Sequence, residues 1–220
     1  MLCVSYESNM KITKYGHCCL LIEVDGLRIL TDPGSYSEGF ENFTDIHVVL
    51  ITHEHPDHLH IDSLKTVLKN NSDAKIITNT AVGKLLNPEK IVYEIVDHKK
   101  STTEKGVLIE GFGKDHALMY ETLPVVENTG YMIANRLFYP GDAWTNPNRN
   151  VEILALPVAG PWMKIAEAVD YAKMIKPKVC FPVHDGGLKK PGVVHVLPPK
   201  ILTPLGIGFK VIEINQTTEL

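Results

Sequence analysis

Thr52-His53-Glu54-His55-Pro56-Asp57-His58-Leu59-His60 places four histidines and two carboxylates within nine residues. In an extended chain, residues two apart point to the same side, so His53 and His55 present their imidazoles together. Where the chain then turns, Asp57 and His58 can aim at a second position beside the first. Imidazole and carboxylate are the ligands expected for zinc or another borderline divalent cation. A His-rich surface loop that binds nothing is the bland alternative for such a run.

The elements around this segment suit a fixed site. His47–Thr52 is an apolar, branched run of strand length, expected to be buried on both faces. A helix is expected next, with Leu64, Val67 and Leu68 on one side and Asn70-Asn71 as its stop. The start of that helix opposes a cation slightly, but it favours the carboxylate and any bound hydroxide. His60 falls on this helix, where solvation or support of a ligand is expected before ligation.

Upstream, Lys11–Tyr15, Cys18–Val24 and Leu27–Thr31 read as short strands, with Asp25-Gly26 as a hairpin turn between the last two. Downstream, strands are expected at 75–78, 91–96, 107–112, 117–121, 129–133, 136–139, 153–156 and 179–183. Ala81–Leu86 reads as a short helix. The clearest helix is Met163–Ile175, where Ile165, Ala168, Val169, Ala172 and Ile175 repeat at helical spacing before Pro177. The C-terminal stretch holds prolines at 191, 198, 199 and 204, with a last strand expected at 208–214. The mixture predicts two sheets covered by helices in a single domain, 1–220, with its core at about 10–187. The regular pattern begins at Met10, an alternative to Met1 as the start.

The chain of 220 residues is long enough to bury its own core without a structural metal or disulfide. A formal net charge of −4 with no clustered Lys or Arg disfavours a polynucleotide partner. Cys3, Cys18, Cys19 and Cys180 form no C-x-x-C pair and read as reduced, buried thiols. No signal peptide or bilayer-length apolar run is visible, so the expectation is a cytoplasmic protein without a membrane partner.

His-x-His-x-Asp-His after a buried strand resembles the signature of the metallo-β-lactamase superfamily. Families of that group add ligands in a fixed order at strand ends, and a candidate stands in each place. His116 sits in Gly111-Phe112-Gly113-Lys114-Asp115-His116, Asp142 in Phe138-Tyr139-Pro140-Gly141-Asp142, and His184 in Phe181-Pro182-Val183-His184-Asp185-Gly186. Asp32, in Leu30-Thr31-Asp32-Pro33, resembles the upstream aspartate that supports such a site by hydrogen bonding. The resemblance runs from about Lys11 to Gly187. Gly16-His17 before a strand, and the Pro-x-x-Gly turn in Leu156-Pro157-Val158-Ala159-Gly160-Pro161-Trp162, resemble a compact branch that includes the ascorbate-phosphate lactonase-like proteins. His17 is then a candidate for substrate contact or for support of a ligand. Trp162 reads equally as a pocket wall or a core residue.

The resemblance implies the α+β class and a four-layer αββα sandwich. It implies two divalent metal ions, zinc first, with manganese or iron as alternatives. His53, His55 and His116 would hold one ion, Asp57, His58 and His184 the other, with Asp142 bridging. The implied activity is hydrolysis of a small-molecule ester, lactone or phosphodiester by a metal-bound hydroxide that Asp57 helps to orient. A non-catalytic metal-binding or sensing module on the same fold is the alternative. A thiol mechanism is disfavoured: four residues at about 3.3 Å rise put Cys180 on the order of 13 Å from His184.

Overall fold

The computed structural model describes residues 9–220, so Cys3 lies outside the described residues. The first half of the chain runs β1 (Lys11–Lys14), β2 (Leu20–Val24), β3 (Leu27–Thr31), β4 (Val48–Leu50), α1 (Ile61–Asn70), β5 (Lys75–Thr78), α2 (Thr80–Leu86) and β6 (Glu94–Ile95). The second half runs β7 (Ser101–Glu104), β8 (Val107–Phe112), β9 (Gly130–Ile133), β10 (Leu137–Tyr139), β11 (Ile153–Pro157), α3 (Ile165–Ile175), β12 (Val179–Val183), α4 (Val193–Leu202), β13 (Gly208–Phe209) and β14 (Thr217–Glu219). They build two seven-stranded mixed sheets, ordered β14-β1-β2-β3-β4-β5-β6 and β13-β12-β11-β10-β9-β8-β7.

Side-chain alternation along the strands creates the layers. Ile12, Leu20, Ile22, Ile29, Val48 and Leu50 of the first sheet pack with Ile109, Tyr131, Tyr139, Ile153, Phe181 and Val183 of the second. On the outer face of the first sheet, Leu21, Leu30 and Val49 meet Leu64 and Val67 of α1 and Val82 and Leu86 of α2. On the outer face of the second, Met132, Phe138, Leu154 and Leu156 meet Ala168, Val169 and Ala172 of α3 and Val194 and Leu202 of α4. The order helix, sheet, sheet, helix is the expected αββα sandwich. Cys18 joins the central cluster and Cys19 the outer one, so these neighbours face opposite ways.

The Asp25-Gly26 turn is a true hairpin, with φ of 48° and 76° and Val24 opposite Leu27. Those paired positive angles match the twist of the flanking strands. β4, β5 and β6 then add in parallel to β3, and β11, β12 and β13 in parallel to β10.

Several boundaries differ from expectation. Residues 117–121 form no strand: Leu118 and Tyr120 are exposed, and the segment is an irregular loop after β8. The expected last strand at 208–214 is only β13, and β14 further on pairs antiparallel with β1. The proline-rich tail holds α4, with Pro198 and Pro199 inside it. Its Val194, Pro198 and Leu202 are buried at four-residue intervals, so docking of one face outweighs the loss of proline N–H groups. β7 is a polar edge strand that the alternation of apolar residues did not mark.

Candidate metal centre

The candidate residues gather at one rim of the sandwich because each follows the carboxyl end of a strand. Asp32 follows β3, His53 follows β4, His116 follows β8, Asp142 follows β10 and His184 follows β12. β1 likewise leads into the Gly16-His17 turn. Shared strand directions thus bring six distant chain segments to one rim, each candidate within a few residues of its strand end.

Two four-residue groups result. His53, His55, His116 and Asp142 form one, and His17, Asp57, His58 and His184 the other; within each, one potential ligand atom per residue lies within 4.8 Å of the rest. Asp142 touches both groups. Its Oδ2 is 3.4 Å from His116 Nε2 and 2.7 Å from His184 Nε2, while Oδ1 is 3.3 Å from His58 Nε2. All seven expected ligands are therefore assembled, and Asp142 has the position of a bridge. His60 is not part of the centre: it stands at the start of α1, exposed, with Nδ1 2.8 Å from the Ser63 hydroxyl. The helix begins at Ile61, so Asp57 and His58 lie in the preceding turn, held by His58 N–H donating to the His55 carbonyl.

A layer of hydrogen bonds beneath the centre orients the imidazoles. Fully buried Asp32 accepts from the backbone N–H and hydroxyl of Thr52, from His58 Nδ1 at 2.7 Å and from the Tyr139 hydroxyl at 2.6 Å. His53 Nδ1 donates to the Thr52 hydroxyl at 3.0 Å, and His116 Nδ1 to the Ala117 carbonyl at 2.6 Å. In each case the proton on Nδ1 leaves the Nε2 lone pair free to face the centre. The Trp162 indole N–H donates to Asp142 Oδ2 at 3.1 Å, and its ring stands edge-on to His116 and His184. Trp162 thus walls the site and also holds a candidate ligand.

The residues fit a cation. Six buried side-chain atoms here make no aligned hydrogen bond among the described residues, although nitrogens and carboxylate oxygens crowd within 2.7–3.4 Å of one another: Nε2 of His17, His58 and His116, both ring nitrogens of His184, and Oδ1 of Asp142. A buried polar atom without a partner costs about 1–3 kcal/mol, so such a convergence is expected only where another group satisfies the atoms. Burial lowers the pKa of His53 well below the ordinary value, keeping it neutral as a ligand must be. Burial also opposes the charge on Asp142, but the fields of His58 and His184 and hydrogen bonding hold its pKa well below the carboxylate range. For Asp57, burial is again outweighed, here by His17, His58 and His184, and its pKa falls to about 2.

Some partners carried no signal in the sequence. Thr52 joins the Asp32 network through the pairing of β3 with β4 in one sheet, and Tyr139 only through the packing of one sheet on the other. Asp185, next to His184, is buried with Lys14 at 2.5 Å and His195 at 2.6 Å. His195 thus has a buried carboxylate partner ten residues away.

Comparison with known proteins shows the family and the fold. A family described as "Beta-lactamase superfamily domain" matches residues 11–184. Protein Rv0786c of Mycobacterium tuberculosis is 38% identical over 181 residues, covering 80% of this chain and 84% of the relative. A UPF0173 metal-dependent hydrolase of Alkaliphilus metalliredigens is 26% identical over 192 residues, covering 80% and 85%. Among solved structures, a Parabacteroides distasonis protein assigned provisionally as a metal-dependent hydrolase superposes with a TM-score of 0.78 at 25% identity, covering 94% of each chain.

Proposed function

The chain belongs to the beta-lactamase superfamily domain family, and from that premise we propose that this metal-dependent hydrolase works with two divalent cations on a small-molecule ester, lactone or phosphodiester. The observation that carries the reading is the pair of four-residue groups joined by Asp142, lined by buried lone pairs without partners. His53, His55 and His116 would hold one cation and Asp57, His58 and His184 the other, with Asp142 between them. Zinc suits this mixture of imidazole and carboxylate best, with manganese or iron as alternatives. When bound, such ions lower the pKa of a shared water toward neutrality and polarise the oxygen under attack.

The chain's own residues supply orientation. Asp32, Thr52 and Ala117 fix the imidazole tautomers, and Trp162 fixes the Asp142 carboxylate. Asp57 is ionised at any physiological pH and half-buried, so its free oxygen can orient an attacking water by accepting its proton in a hydrogen bond. A formal charge of −4 and the absence of a basic run support a small-molecule substrate over a polynucleotide. We also propose a cytoplasmic location and a single metallo-hydrolase domain; no helix among the described residues is long and apolar enough to cross a membrane.

The test is metal analysis of loaded, desalted protein together with a turnover screen of lactones, esters and phosphodiesters. Two equivalents of metal and chelator-sensitive turnover are expected. Two bound ions without turnover on any of these classes would favour a binding or sensing role.

A further inference from the structure

His17 lies among the second group of candidate ligands, and distance alone would make it a fourth ligand there. The hydrogen-bond directions argue otherwise. Gly186 N–H donates to His17 Nδ1 at 3.1 Å. A nitrogen that accepts a hydrogen bond carries no proton, so in the neutral ring the proton resides on Nε2. This is the reverse of His53, His58 and His116, whose Nδ1 atoms face oxygen acceptors and whose Nε2 atoms are thereby freed. A ring nitrogen bearing a proton has no lone pair for a cation.

The tautomer is built into the backbone. His184 N–H donates to the His17 carbonyl at 2.9 Å, so the His184-Asp185-Gly186 turn grips residue 17 at both its main chain and its ring. Gly186 is there because nothing larger fits: a Cβ at that position would stand 2.8–2.9 Å from the His17 N, Cα and Cβ atoms. The side chain is 2% exposed, and Nε2 finds no aligned acceptor among the described residues, although Asp57 Oδ2 lies 3.2 Å away. The outcome is a buried N–H held ready beside the ligand groups.

We propose that His17 is a hydrogen-bond donor to a negatively charged oxygen of the substrate, and not a metal ligand. The inference rests on the two-cation reading above for what lies beside it. A neutral imidazole N–H aimed at an oxygen that already carries charge stabilises that charge on binding, without giving up its proton. This selects substrates with an anionic oxygen near the bond to be cleaved, such as a phosphoryl group or a carboxylate, over uncharged esters.

The experiment compares wild type, H17A and H17Q, all loaded with zinc, with inorganic phosphate as the probe. In 15N-histidine-labelled wild type, the His17 Nε2 proton should persist after zinc loading. H17A should retain the wild-type zinc content, and its dissociation constant for phosphate should rise by about tenfold, the range of one hydrogen bond to a charged group. H17Q, which keeps an N–H donor, should recover part of that loss. Loss of the Nε2 proton on loading, loss of one zinc in H17A, or phosphate binding unchanged in H17A would each overturn the proposal. A wild type that binds no zinc would sink the two-cation reading instead, and the inference would then stand or fall on the tautomer in the same spectrum of metal-free protein.

Discussion

His58 and Asp32 are joined by a 2.7 Å contact between Nδ1 and Oδ2, with both side chains fully buried. The carboxylate serves four donors at once, including Thr52 and Tyr139, so it ties a candidate ligand to both sheets. Asp32→Ala should therefore do two things. Leaving those buried donors without their acceptor should cost about 3–5 kcal/mol, read by chemical denaturation. Freeing His58 from its tautomer should weaken metal binding by about 10–100-fold, read by titration. Full affinity in a destabilised variant would mean that Asp32 is structural only.

His116 and Asp142 make a second, differential test. His116 lies in one group, whereas Asp142 contacts both. His116→Ala should leave close to one equivalent of bound metal, and Asp142→Ala should weaken both sites. Each variant should stay folded, because the three apolar clusters include neither residue. Metal content equal to wild type in both variants would show that the ligands lie elsewhere.

The sequence carried most of this centre because metal ligation is written in residue type and short spacing. His53, His55, Asp57 and His58 come from one turn, and the others stand at strand ends that resemblance could order. What it did not carry depends on three-dimensional packing. Tyr139 reads as a core aromatic until the sheets bring its hydroxyl to Asp32. His17 stands in the sequence as a candidate for substrate contact or for support of a ligand, and only the Gly186 N–H fixes its tautomer. α4 was hidden because Pro198 and Pro199 signal loop, although Val194, Pro198 and Leu202 already showed the spacing of a buried face. Residues 117–121 show the converse error: β-prone side chains with no neighbouring strand to pair them.

The thiols should be inert in the native protein. Burial raises the Cys180 pKa to about 12 and the Cys18 pKa to about 11, from an ordinary 9.0. Cys180 belongs to the outer cluster beneath α3 and α4, on the face away from the centre. Native protein at pH 8 should resist iodoacetamide until denaturant is added, and Cys180→Ser should keep its metal content and activity. A raised folded-state thiol pKa contributes stability that is complete below about pH 9 and is lost as pH climbs toward 11 and 12. Urea midpoints should accordingly decline above pH 9. Rapid labelling of native Cys180 at pH 8 would contradict its burial.

The Trp162 indole should control how firmly Asp142 is held. Its N–H donates to Oδ2, the same oxygen that lies 2.7 Å from His184 Nε2. That bond fixes the carboxylate plane and leaves fewer orientations to be lost when a cation binds. Gly160 makes room for the arrangement, since a Cβ there would come within 2.7 Å of the indole nitrogen. Trp162→Phe keeps an aromatic wall but removes the donor, so metal affinity should fall about tenfold while the fold persists. Gly160→Ala should produce a loss of the same kind by displacing the indole without deleting it. Side-by-side metal titrations of the two variants separate the explanations. Agreement between them points to the hydrogen bond, whereas wild-type affinity in Trp162→Phe would reduce Trp162 to packing alone.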